Sequence, residues 1–120
     1  MNSIMIVDDA GFMRLMLKDM LVAAGYAVIA EAANGEEAVQ CYKRYKPNLV
    51  TMDITMPIMD GIAALVEIKK IDPEARVIMC SAMGQQRLVL EAVKSGASDF
   101  LVKPFQGKRV IETIHKVLNG

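Results

Sequence analysis

Short apolar runs rich in β-branched residues alternate along this chain with longer segments of helical period. Ile4 to Val7 reads as a first strand. Met13, Met16, Leu17, Met20, Leu21 and Ala24 then recur every three or four residues, the spacing of one buried helix stripe. Gly25 stands where a C′ residue closes such a helix. Tyr26 to Ala30 follows as a second strand, and Asn34-Gly35-Glu36-Glu37 opens a helix with a capping side chain and acids in its first turn. Pro47 precedes a third strand, Leu49 to Met52, and Asp60-Gly61 starts a third helix bearing Ile62, Leu65 and Val66. Asp72-Pro73 is a turn before a fourth strand, Val77 to Cys80. A fourth helix covers Gln85 to Lys94 and is closed by Ser95-Gly96. Phe100 to Val102 is a short fifth strand, and a last helix runs from about Lys108 to Leu118. Continuous apolar strands, each followed by a helix, imply a parallel sheet covered on both faces by right-handed crossovers. The expected architecture is one α/β domain over residues 1–120, a doubly wound five-stranded parallel sheet with five helices.

Composition narrows the class of function. A length of 120 residues suits one domain, and 53% apolar with 23% charged residues excludes disorder. The 14 basic and 14 acidic side chains cancel, so nothing about the whole molecule calls for nucleic acid or an anionic membrane. The cancellation hides a split: residues 1–60 carry eight acids and five bases, residues 61–120 six acids and nine bases. Arg87, Lys94, Lys103, Lys108, Arg109 and Lys116 gather around the fourth helix, fifth strand and last helix. By itself that basic face suits a solvated surface as well as a docking surface. Direct DNA binding is disfavoured, because no helix-turn-helix is left over. The start has no basic leader region and no run nears the ~20 apolar residues of a membrane span, so neither is expected. Cys41 and Cys80 lack CxxC spacing and read as thiols of a reducing, cytoplasmic compartment.

The chemistry lies where the apolar runs stop. Asp8 and Asp9 follow the first strand, Asp53 the third, Ser81 the fourth and Lys103 the fifth. In a parallel sheet these are all carboxyl ends, the edge that holds the ligand crevice of open α/β folds. One such aspartate alone is more often a turn residue, but acids after two strands with a hydroxyl and an amine after two others make a site. Three carboxylates without His or Cys suit a hard divalent cation such as Mg2+, which also binds phosphate. His115, the one histidine, sits in the last helix as a partly exposed residue, so nucleophilic triads fail. Phosphoryl chemistry remains: a carboxylate nucleophile, a metal, a lysine point charge and a serine donor.

Asp8-Asp9, the run Asp53-Ile54-Thr55-Met56-Pro57-Ile58-Met59-Asp60-Gly61, Ser81-Ala82 and Lys103-Pro104-Phe105 together resemble the receiver domain of two-component response regulators. The resemblance covers the whole chain and extends to the stand-alone receivers of chemotaxis. It implies strand order 2-1-3-4-5 and a set of roles. Asp53 would accept a phosphoryl group from a phosphohistidine on a histidine kinase. Asp8, Asp9, Asp53 and the backbone carbonyl of Thr55 would hold Mg2+. Lys103 would contact the phosphoryl oxygens, and the Lys103-Pro104 peptide would be cis. Ser81 would move toward the phosphate and Phe100 would swing inward behind it. Pro57 and Gly61 would shape the loop beside Asp53. The basic face becomes an output surface, with Val89, Val93, Ala97 and Phe100 as apolar contacts for a flagellar motor switch protein. A monomer without nucleic-acid or membrane partners is expected.

Plain readings stand beside these. Phe100 taken alone reads as core, Met13, Met16 and Met20 as core filler, and Met56 and Met59 as loop packing. Ser81 and Phe100 stand where many family members have Thr and Tyr. Thr55 and Met83 occupy the positions that tune hydrolysis in the family, and neither bears a group to orient water. Slow self-dephosphorylation with an auxiliary phosphatase is therefore expected. An aspartyl phosphatase would want a second aspartate at position 55 and a cap domain. A passive flavodoxin-like binder would want a Ser/Thr/Gly-rich loop where Asp8-Asp9 stands. The switch is the favoured reading. A phosphorelay intermediate, or a receiver belonging to a larger regulator, would share its active site.

Overall fold

The five apolar runs form β1 (Ser3–Val7), β2 (Ala27–Ala32), β3 (Leu49–Asp53), β4 (Val77–Ser81) and β5 (Asp99–Val102) in the computed structural model. Between and after them lie α1 (Gly11–Ala23), α2 (Gly35–Tyr45), α3 (Gly61–Ile71), α4 (Gln86–Lys94) and α5 (Gly107–Asn119). The structure describes residues 2–120; Met1, the first residue of the expected unit, lies outside them. All pairings are parallel and the order is β2-β1-β3-β4-β5, as the resemblance implies.

Alternate strand residues feed two cores. Met5, Val7, Val50, Met52, Val77 and Met79 meet the buried faces of α2 and α3 and Ala92 of α4. Ile4, Ile6, Leu49, Ile78, Cys80 and Leu101 meet Leu17 and Leu21 of α1 and Val110 and Ile114 of α5. Strands buried on both sides explain why they lack an alternating pattern.

Helix ends follow local chemistry. Asn34 and Asp60 cap α2 and α3 by accepting the N–H groups of Glu37 and Ala63 at 2.9 and 2.8 Å. Gly25 takes φ +93 after α1, with the Gly25 N–H on the Val22 carbonyl and the Tyr26 N–H on that of Leu21. Gly96 closes α4 in the same way through Val93 and Ala92, each a Schellman motif.

Several expectations need correction. Ala24 is exposed, because it caps α1 instead of continuing the stripe. Met13, Met16 and Met20 are half-buried, and only Met20 packs against the α1/α5-side core. The second strand begins after Tyr26, whose N–H is consumed in closing α1, and continues to Ala32, whose carbonyl accepts the Asp8 N–H. Phe100 is not core: it is 36% exposed. It lies on the edge strand β5 and shares a face with Val102, also exposed, while Leu101 points into the opposite core.

Candidate functional site

The order β1-β3-β4-β5 brings four strand ends together, and the crevice lies where the strand order reverses, between β1 and β3. Asp8 and Asp9 leave β1 and Asp53 ends the neighbouring β3. Each offers a carboxylate oxygen, and these lie within 4.8 Å of one another. Asp8 and Asp53 are buried while Asp9 is exposed. Like charges so close repel, and Lys103 from the far end of the chain offsets them. Its Nζ lies 2.8 Å from Asp8 Oδ2 and 3.2 Å from Asp53 Oδ2. Asp8 is further held by the Ala10 N–H, donated to Oδ1 at 2.9 Å, and by Arg14 Nη1, which donates to its carbonyl at 2.7 Å.

Burial pushes the Asp53 carboxyl above its usual range; the Lys103 ammonium opposes this, and the charges of Asp8 and Asp9 add to it. Burial pulls Lys103 downward, but bonding to Asp8 and the charge of Asp53 outweigh it and hold the ammonium above its ordinary range. Beside Asp53 in register stands Cys80, whose thiol is pushed up to about 12 by burial and then by the Asp53 charge. Among the described residues the donors brought together are the three carboxylates, without Cys80, a set that fits a hard divalent cation keeping some of its waters.

The backbone holds Asp53 in place from below. The Ile54 N–H donates to the Cys80 carbonyl at 3.1 Å, and the Gly61 N–H to the Ile54 carbonyl at 2.7 Å. The start of α3 thus presses against the end of β3. Gly61 is required there for space: a Cβ would lie 2.0 Å from the Asp53 carbonyl oxygen. Thr55 sits exposed on the intervening loop, two residues past Asp53. Ser81 is buried at the end of β4, but its hydroxyl donates to the Leu101 carbonyl at a long 3.4 Å and not to Asp53. The Lys103 N–H donates to the Ser81 carbonyl at 2.8 Å, and the Lys103–Pro104 peptide is cis.

Sequence comparison decides the family: the model of the Response regulator receiver domain matches residues 4–115. The chain belongs to the response regulator receiver family. It is 65% identical over 118 residues to the chemotaxis protein CheY of Bacillus subtilis, covering 98% of each chain. It is 63% identical over 114 residues to that of Thermotoga maritima, covering 95% of each. Among solved structures, CheY in the CheX-CheY-BeF3-Mg+2 complex from Borrelia burgdorferi superposes with TM-score 0.93 at 42% identity, over 97% of this chain and 88% of that one.

The receiver's proposed switch residues frame a groove of about 170 Å³ lined by Ser81, Met83, Val89, Phe100 and Val102 among others. Of the expected partner face, Val93 and Phe100 are open to solvent, whereas Val89 and Ala97 are half-buried and pack against the α2/α3-side core. Leu90, 56% exposed on α4, belongs to the open surface and was not anticipated. Two polar residues also went unnoticed. Arg14 braces Asp8 and pairs with Glu31 at 3.2 Å. Gln85 accepts the Ala82 N–H at 2.7 Å and donates to Thr55 Oγ1 at 3.0 Å. A polar side chain at the N-cap position of a helix, three residues past a loop amide, was the available signal for Gln85.

Among the described residues, no helix is long and apolar enough to cross a membrane. Receiver domains are signalling proteins, and this one closely matches chemotaxis members of its family.

Proposed function

We propose that this receiver accepts a phosphoryl group on Asp53 from the phosphohistidine of a histidine kinase and signals by phosphorylation-dependent docking. The observation that carries this reading is the buried Asp53 carboxylate at 3.2 Å from Lys103, within 4.8 Å of two further carboxylates. An Asp53 oxygen attacks phosphorus, the N–P bond of the donor breaks with its electron pair going to nitrogen, and the donor's ring, protonated on its other nitrogen, leaves as neutral imidazole. Lys103 lies close enough to Asp53 to follow the charge onto the transferred group, and Ser81 supplies a hydroxyl from the adjacent strand. Asp8, Asp9, Asp53 and the Thr55 carbonyl would hold Mg2+, which when bound neutralises phosphate charge. The chain assists its own phosphoryl transfer and slow hydrolysis without turning over a separate substrate.

Likeness to chemotaxis proteins supports the flagellar motor switch protein as the output partner, with a phosphatase ending the signal. Residues 1–120 act as one receiver, monomeric and cytoplasmic, with no direct nucleic-acid or membrane partner. Incubation with acetyl phosphate and Mg2+ tests the core reading by intact mass. Wild type should gain the mass of one phosphoryl group and Asp53→Ala should not; an unmodified wild type would sink the reading. Capture of motor switch protein only in the phosphorylated state would separate the motor role from a phosphorelay role.

A further inference from the structure

Gln85 occupies the N-cap position of α4, yet its side chain caps none of that helix's N–H groups. It turns back across the mouth of the site. The Ala82 N–H is a donor only, so it must face Gln85 Oε1, which leaves Nε2 to donate to Thr55 Oγ1. One side chain thereby ties the loop after β4 to the loop after β3. Both loops start at residues of the site, Ser81 and Asp53.

Resting on the phosphoacceptor reading above, we propose that Gln85 is a positioning residue, a latch holding the unphosphorylated arrangement of the two loops. Ser81 and Ala82 share a peptide group, so a shift of the Ser81 backbone toward oxygens on Asp53 carries the Ala82 N–H with it. The Ser81 hydroxyl is easily surrendered, since its bond to Leu101 is at the outer limit of hydrogen-bond length. The stronger restraint is the 2.7 Å bond from Ala82 to Gln85. When the loop moves, either that bond breaks or Gln85 follows and leaves Thr55. Movement of Ser81 and the Gln85–Thr55 contact are therefore energetically coupled, and each biases the other.

Removing the latch should raise the share of molecules with the loop released by about 3- to 10-fold, the weight of one to two part-exposed hydrogen bonds. The test compares wild type, Gln85→Ala, Thr55→Val and the double variant in two measurements. The first is the initial rate of phosphorylation by acetyl phosphate with Mg2+, followed by intact mass. The second is the backbone amide NMR positions of residues 81–86, without donor and after saturation with beryllofluoride and Mg2+. Gln85→Ala should phosphorylate about 3- to 10-fold faster, its unfolding midpoint falling by no more than the one or two missing bonds account for. Without donor, its amides should lie part-way toward the wild-type beryllofluoride positions, and Thr55→Val should add nothing to Gln85→Ala in amide position. Unchanged or slower phosphorylation with unmoved amides, or additive effects in the double variant, would overturn the latch. If wild type gains the phosphoryl mass and Gln85→Ala merely matches it, the latch alone fails. If wild type gains none, the acceptor reading fails and takes the latch with it.

Discussion

Gly61→Ala tests whether the start of α3 positions Asp53, the proposed acceptor. The added methyl would lie 2.0 Å from the Asp53 carbonyl oxygen, 2.9 Å from its carbonyl carbon and 3.0 Å from Ile54 Cα. All three are backbone atoms, so no side chain can swing aside. Restoring ordinary contact requires β3 and α3 to separate by roughly 1.5 Å. That separation breaks the Gly61 N–H bond to the Ile54 carbonyl, now 2.7 Å. Overpacking costs about 1–3 kcal/mol and the lost bond about 1 kcal/mol, so a total near 3 kcal/mol is expected. In urea this should lower the unfolding midpoint by roughly 1–2 M. The folded fraction should also phosphorylate more slowly by on the order of 10²-fold, because Asp53 moves with its own carbonyl. Two variants serve as comparisons. Gly35→Ala meets the carbonyl oxygens of Met59 and Asp60 at 2.5 and 2.8 Å, so it should destabilise comparably while slowing phosphorylation far less. Gly107→Ala meets nothing within 4 Å and should stabilise by about 0.5 kcal/mol. A Gly61→Ala protein within about 0.5 kcal/mol of wild type, with its rate intact, would refute the reasoning.

Three further outcomes are expected. The Tyr42 hydroxyl donates to Asp72 Oδ2 at 2.9 Å, and burial, then the bond and charge of Asp72, push the phenol up to about 12. The folded state thus holds this proton more tightly than the unfolded chain, whose Tyr titrates near about 10. The contribution is complete below pH 10 and is lost as pH rises toward 12, so the stability of wild type relative to Tyr42→Phe should fall across that window in urea titrations. A flat difference would contradict it. Thr51, fully buried in β3, has a hydroxyl with no hydrogen-bond partner among the described residues, so Thr51→Val should stabilise by about 1 kcal/mol and raise Tm by roughly 4 °C. A lower Tm would reveal a partner for that hydroxyl. Thr55 and Met83 offer no carboxylate or amide to orient water, so the isolated phosphoprotein should lose its phosphoryl mass slowly. A half-life of seconds without any partner would overturn this.

What was legible in the sequence depended on how local its cause is. Apolar runs and helical stripes are set by near neighbours, so all ten elements and the carboxyl-end positions of Asp8, Asp53, Ser81 and Lys103 could be found from spacing. Phe100 could not be placed in this way. A phenylalanine in an apolar strand looks like core, and its exposure follows from β5 being an edge strand beside α4, of which only Ala92 is buried. Gly61 was expected to shape the loop beside Asp53, but the reason could not be read from spacing: its φ is not left-handed, and the need is room against the Asp53 carbonyl. The tie from Gln85 to Thr55 was invisible because it spans 30 residues and exists only once β3 and β4 are in register. The same logic governs the energetics of the site. Asp8 and Asp53 are buried together only with Lys103 between them, and Lys103 is 95 residues from Asp8. Removing one partner from such a group leaves an uncompensated buried charge, the costly outcome for any buried ion pair. The carboxylate–lysine cluster is therefore not a property of the β1 and β3 ends that supply its carboxylates. It comes into being when β5, the last strand to be reached along the chain, docks against β4 and delivers the lysine.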